Sequence, residues 1–161
     1  MPKQDPMDRT KGFFKKNLET ISHKKRIEYL NRKLRGIIQY AYKHSVAFRN
    51  KMDFVKLKPK DIQTIKDLEK LPITKKAALV ELQKKNPPFG GLEGIPITEM
   101  RRIFISPGPI YEPGEADYDE LGWAQGMYAG GFRPGDITIN TFSYHMVPFA
   151  LQMVDNSLHR I

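Results

Sequence analysis

Two short apolar runs set the architecture open to this chain. Ile103-Phe104-Ile105-Ser106 leads into a Gly/Pro-rich stretch, Pro107-Gly108-Pro109-Ile110-Tyr111-Glu112-Pro113, and Ile137-Thr138-Ile139-Asn140 follows the tight turn Arg133-Pro134-Gly135-Asp136. The spacing predicts a strand over 101–106, a loop over 107–115, a helix over 117–130, a second strand over 137–142 and a last helix from about 146. Such β-α-β-α alternation is the signature of a mainly parallel sheet, so the expected class is α/β. Parallel strands need further strands beside them and helices on both faces, which makes a two-stranded version incomplete. The last helix ends at Leu158-His159-Arg160-Ile161 as though a third unit should follow.

The residues before these units read as helices. Ser22 is placed to cap a long amphipathic helix in which Ile27, Leu30, Leu34, Ile37, Ile38 and Ala41 recur at helical spacing, with Lys24, Lys25, Arg32, Lys33, Arg35 and Lys43 on the other face. Ser45 caps a shorter helix expected to bury Val46, Phe48 and Phe54. A short helical segment over 64–69 is stopped by Pro72, and Thr74 is expected to cap a helix over 75–85 that buries Ala78, Leu79 and Leu82. Residues 1–20 read as a polar arm anchored by Phe13 and Phe14. Asn86-Pro87-Pro88-Phe89-Gly90-Gly91 is the boundary candidate, dividing a helical subdomain (21–88) from the α/β part (89–161).

Charge follows the same division. Residues 1–85 hold 23 Lys/Arg against 9 Asp/Glu, a balance of +14, and residues 86–161 carry −5 of the total +9. The basic residues are interleaved with acids and lack aromatic stacking or a DNA-binding motif, so they read as a solvated helical face and nucleic acid is not the expected partner. No cysteine is present, which excludes a disulfide framework, a cysteine-based zinc site and a thiol nucleophile, and makes the cytoplasm the expected compartment. No apolar run reaches the roughly 18 residues a membrane span needs. A Gly-x-Ser-x-Gly elbow, a His-Glu-x-x-His pair, a dinucleotide-binding glycine fingerprint and a Walker loop are all missing, which leaves hydrolase and dehydrogenase readings without a foothold.

Some residues with chemical potential have plainer duties. The acids Glu112, Glu115, Asp117, Asp119 and Glu120 read as neutralising the N-terminus of the helix from about 117, and no metal site is expected there. Trp123, Met127 and Tyr128 read as packing that helix onto the sheet. His23, His44 and His159 lack partners at metal-ligand spacing. By contrast, Phe142-Ser143-Tyr144-His145-Met146-Val147-Pro148-Phe149 lies at the carboxyl end of the expected second strand, where open α/β sheets place ligands.

Taken in order, Leu34-Arg35-Gly36-Ile37-Ile38-Gln39-Tyr40-Ala41-Tyr42-Lys43-His44-Ser45-Val46-Ala47-Phe48-Arg49, then Leu68-Glu69-Lys70-Leu71-Pro72-Ile73-Thr74-Lys75-Lys76, then the Ser106 loop, then Arg133-Pro134-Gly135-Asp136, the chain resembles the start of phenylacetate–CoA ligases. These belong to the adenylate-forming acyl-CoA synthetase superfamily. The resemblance covers residues 25–161, and only the N-terminal third or so of such an enzyme. It implies that 89–161 begins an AMP-binding domain, here truncated, and it implies a two-step ligase. A carboxylate attacks the α-phosphate of ATP to give an acyl-adenylate and pyrophosphate, and the CoA thiol then displaces AMP, with Mg²⁺ accompanying ATP.

By the same resemblance, Ser106 and Gly108 match the phosphate loop of the type Ser-Ser-Gly-Thr-Thr-Gly-Lys-Pro, and Pro113 matches its closing proline. The rest departs: Pro107 and Pro109 lack an N–H, Ile110 replaces a hydroxyl residue and Glu112 stands where lysine is expected. Tyr144, His145, Met146 and Phe149 fall where the family's acyl-substrate pocket lies, and would line it for a small carboxylic acid. The resemblance therefore leads to a ligase fragment that binds ATP, CoA and Mg²⁺ weakly if at all, is inactive alone, and self-associates through its unfinished sheet. Two alternatives stay open: a stand-alone basic module holding an acidic partner, and a pseudo-ligase that takes the acid but has lost ATP chemistry.

Overall fold

The computed structural model describes residues 8–106, 108–114, 122–142 and 148–161, with the side chains of Pro148 and Phe149 excepted. Six α-helices are assigned among them: α1 (Lys16–Glu19), α2 (His23–His44), α3 (Val46–Phe54), α4 (Lys76–Lys85), α5 (Trp123–Ala129) and α6 (Pro148–Leu158). Two strands, β1 (Arg102–Ser106) and β2 (Ile110–Gly114), form the sheet. The chain divides into two compact units, Ser22–Glu115 and the pair of segments Met1–Ile21 and Ala116–Ile161.

In the Ser22–Glu115 unit the two serine caps form as the sequence predicts. The Ser22 hydroxyl accepts the Lys25 N–H at 3.4 Å and the Ser45 hydroxyl accepts the Phe48 N–H at 3.3 Å, each satisfying a donor that the first helical turn leaves unpaired. Ser45 is itself buried and donates to the Gly91 carbonyl at 2.9 Å, while the Ala47 N–H reaches the same oxygen at 2.8 Å. That contact ties the start of α3 to the Pro87–Gly91 bend. The core consists of Leu34 and Ile38 from α2 with Met52 and Ile62, and Tyr42, Phe48, Leu57 and Leu71 pack around it.

Several expected core positions are not core. Val46 and Phe54 are exposed, the latter by 87 %, because α3 turns Met52 inward instead. Leu30 and Ile37 also lie on the exposed side of α2. Thr74 does not cap α4; Lys75 stands at that position, and the Thr74 hydroxyl accepts from the Lys51 ammonium at 2.6 Å. Ala78 is exposed, and the side chain that α4 buries most fully is Gln83. The 64–69 segment is a 3-10 helix over Ile65–Lys70, held by Asp67 accepting the Thr64 N–H at 2.8 Å.

The helical N-terminal layer followed by a small sheet is what the α/β reading anticipates; the strand pairing is not. β1 and β2 are antiparallel neighbours, with Ser106 opposite Ile110 and Arg102 opposite Gly114. Within the loop expected over 107–115, residues 108–109 are a turn and 110–114 a returning strand, while 107 and 115 lie outside the described residues. Residues 137–142, expected as a parallel partner of 101–106, carry no strand assignment.

In the other unit, Ala124 of α5 and Ser157 of α6 are buried, and α5 and α6 pack together. The Asn140 side-chain amide donates to the Leu151 carbonyl at 3.0 Å, fastening the 137–142 stretch to α6. Of the helix expected over 117–130, Trp123–Ala129 is helical and 117–121 lies outside the described residues.

Candidate functional site

The hairpin presents two unlike faces. Strand alternation and the register put Phe104, Ser106, Ile110, Glu112 and Gly114 on one side, where Phe104, Ile110 and Gly114 are buried and Glu112 is half-buried opposite Phe104. Ile103, Ile105 and Tyr111 occupy the other side and are exposed. Glycine is required at two places. Gly108 holds a φ of +117° at the turn, and a Cβ on Gly114 would collide with the Phe104 ring.

The outer edge of β2 is closed by a side chain. Gln83, buried on α4, donates from Nε2 to the Tyr111 carbonyl at 2.8 Å and accepts the Tyr111 N–H on Oε1 at 2.9 Å. One amide thus pairs with one peptide as a neighbouring strand would, and the edge is blunted. The sequence offered little to find it: a glutamine in a helix is ordinarily a surface residue.

A triphosphate cradle requires several converging N–H groups and a cation. Here positions 107 and 109 are prolines with no N–H to give. The Ser106 hydroxyl is turned back to the Ile110 carbonyl at 3.4 Å, and the Tyr111 N–H is taken by Gln83. Gly108 stands in open space, and Glu112 brings a carboxylate rather than an ammonium. As arranged, Ser106 and Gly108 do not fit a triphosphate. No group of three or more Asp, Glu or His residues gathers among the described residues, and Glu115, Asp117, Asp119 and Glu120 lie outside them.

The Arg133-Pro134-Gly135-Asp136 turn is built from its own ends. Asp136 accepts the Arg133 N–H at 2.9 Å, and Gly135 takes a φ of +87°. Asp136 also forms a paired ion bridge with Arg9, at 2.6 Å to each carboxylate oxygen. The Arg9 guanidinium, and after it the Arg133 N–H, hold the Asp136 carboxyl down to about 2. Arg9 had no sequence signal, since it lies in an unpatterned arm 127 residues away from its partner. Of the expected acyl-pocket residues, Tyr144, His145 and Met146 lie outside the described residues, and Phe149 is described only as backbone in α6.

Comparison with known proteins agrees with the motif order. No family model matches the chain. It is 27 % identical over 138 residues to the phenylacetate–coenzyme A ligase of Thermus thermophilus, covering 81 % of this chain and 30 % of that protein. It is 28 % identical over 119 residues to the Aromatoleum evansii enzyme of the same name, covering 70 % and 26 %. Among solved structures, 2-hydroxyisobutyryl–CoA ligase in its postadenylation state, bound to an acyl-AMP, matches with a TM-score of 0.79 at 26 % identity over 98 % of this chain and 33 % of that one. The same ligase in its thioesterification state, holding the adenylate and CoA, matches with a TM-score of 0.65 at 28 % identity over 73 % and 26 %. The chain is thus similar to adenylate-forming acid–CoA ligases of the phenylacetate type and spans about a third of their length, which fits the N-terminal portion of such a protein.

Proposed function

We propose that this chain is the N-terminal portion of an AMP-forming carboxylate–CoA ligase of the phenylacetate type, with a helical subdomain over 21–88 and the start of the AMP-binding domain over 89–161. The observation that carries the reading is the match along 98 % of the chain to a ligase holding an acyl-adenylate. The reaction of the whole protein joins a small carboxylic acid to CoA with conversion of ATP to AMP and pyrophosphate, in the cytoplasm, as one step of aryl-acid breakdown. Tyr144, His145, Met146 and Phe149 line the acid's pocket. The 161-residue chain does not turn over by itself and carries its apolar surface into self-association. Reading the gene past the Ile161 codon and assaying the product of the whole frame tests this. ATP-dependent acyl-CoA formation supports it, and a frame that continues into unrelated sequence overturns it.

A second reading rests on the hairpin. With Glu112 in place of a cation and the Ser106 hydroxyl engaged internally, the chain is a pseudo-ligase that retains the acid site without nucleotide chemistry. Calorimetry on the product of the whole frame separates the two: uptake of phenylacetate with no heat from Mg·ATP supports the pseudo-ligase, and measurable Mg·ATP binding removes it.

A further inference from the structure

The segment after the Arg133–Asp136 turn leads toward the residues proposed to line the acid pocket, and the groups that hold the turn come from the far end of the sequence. Arg133 is 5 % exposed, and its guanidinium lies over the Tyr128 ring at 3.9 Å. One terminal nitrogen donates to the Tyr128 and Phe132 carbonyls at 2.5 and 2.8 Å, and the other to the Arg9 and Lys11 carbonyls at 2.7 and 2.9 Å. The planar fork of arginine therefore bridges α5 and the arm through main-chain oxygens alone. Outside it, Arg9 grips both oxygens of Asp136 and also donates to the Gly131 carbonyl at 2.7 Å. Gly12 sits so close to Tyr128 that a Cβ there would lie 2.8 Å from its hydroxyl, and the Phe14 ring is 6.1 Å from the Tyr128 ring.

The arm does not fill a core. A cavity of about 610 Å³ opens between Arg9 and Thr10 on one side and Ala129–Phe132 and Asp136 on the other. Directional bonds rather than apolar burial hold these residues down, and the bonds fall in two tiers. The Arg133 anchor is shielded, whereas the side chains of the outer pair are 51 % and 24 % exposed for Arg9 and Asp136. Solvent and salt reach the outer tier first.

We propose that Asp8–Phe14 is a strap, permanently anchored by Arg133 and latched by the Arg9–Asp136 pair, and that the latch sets the order of residues 130–136. Opening it frees the turn while the Arg133 anchor keeps the arm attached and the Asn140 amide keeps the following stretch on α6. The device is independent of the ligase reading, because every group in it belongs to this chain.

Amide hydrogen exchange on the full 161-residue chain tests the strap, comparing parent, Arg9→Gln and Asp136→Asn. The asparagine keeps an acceptor for the Arg133 N–H, so the turn itself survives. The amides of Gly130, Gly131, Phe132, Arg133 and Asp136, which have acceptors to lose, are expected to exchange roughly threefold to tenfold faster in both variants, with α2 and α3 unchanged. At about 1 M salt, where the Debye length is roughly 3 Å, the partly buried pair is weakened rather than abolished, so the same amides of the parent are expected to accelerate by less than in the variants. Exchange unchanged in the variants and at high salt, or accelerated equally in both units, overturns the proposal.

Discussion

Among the described residues, Met52 and Ile62 are the largest side chains with essentially no exposure, and so little else is buried beside them that each carries a large share of the helical core. Removing a methionine of that kind forfeits its transfer from water and leaves a void that a rigid surround cannot close. Met52→Ala is expected to cost about 2–5 kcal/mol, read as a lowered urea midpoint with an unchanged slope. Asp136 makes a prediction of another sort. Its folded value of about 2 lies below the roughly 3.9 of an unfolded aspartate. The stability from its bond to Arg9 is therefore fully present above the unfolded value and lost as pH falls from there toward about 2. Asp136→Asn is expected to weaken the protein at neutral pH and to flatten the acid limb of its urea midpoint against pH. Identical acid limbs in variant and parent would assign the acid sensitivity to Asp8, Asp53 and Asp67, whose carboxyls are also held low by neighbouring lysines.

At the scale of elements, the hairpin depends on a bond pair from outside the sheet. Gln83→Ala leaves the Tyr111 peptide without a partner at the buried edge and is expected to cost about 1–3 kcal/mol, with the Tyr111 amide losing protection before those of α2. The same hairpin bears on nucleotide chemistry. If charge sign alone barred a triphosphate, Glu112→Lys would create binding. Because both prolines remain, the Ser106 hydroxyl stays on Ile110 and Glu112 faces Phe104 rather than the turn, calorimetry of that variant with Mg·ATP is expected to stay silent.

Legibility divided along the same physical line. Ser22 and Ser45 were readable as caps because a cap is decided within three residues of itself, and α2 because a long apolar period admits one structure. The β2 strand is masked in the sequence by Pro107, Pro109 and Pro113, which read as a loop although Gly108 between two apolar runs is a hairpin signal. The Ile137–Asn140 pattern suggested a strand, yet alternation supplies only one half of a ladder and cannot supply the neighbour. At the candidate site, Gln83 and Arg9 act across 28 and 127 residues, a separation that no local pattern encodes.

Across the whole molecule, the basic N-terminal half and the exposed apolar side chains pull in opposite directions. A net charge of +9 keeps copies apart at low ionic strength. Against that stand side chains left almost fully in solvent: Phe54 and Ile73 at 87 % and 91 % in one unit, Ile137 and Ile139 at 99 % and 84 % in the other. The second pair matters more, because two β-branched residues at alternate positions, on a stretch with no assigned strand partner, offer another chain an edge to pair with. Salt screens the repulsion but leaves apolar burial intact, so self-association is expected to rise with ionic strength, opposite to a complex held by charge. Sedimentation at low and at about 0.5 M salt distinguishes the two. The double change Ile137→Asn and Ile139→Asn should then suppress the salt-promoted species without moving the melting temperature, since neither side chain is buried in the folded unit. A parent that stays monomeric at both ionic strengths would show that the charged half governs the behaviour of the chain and that the exposed isoleucines are individually tolerated surface.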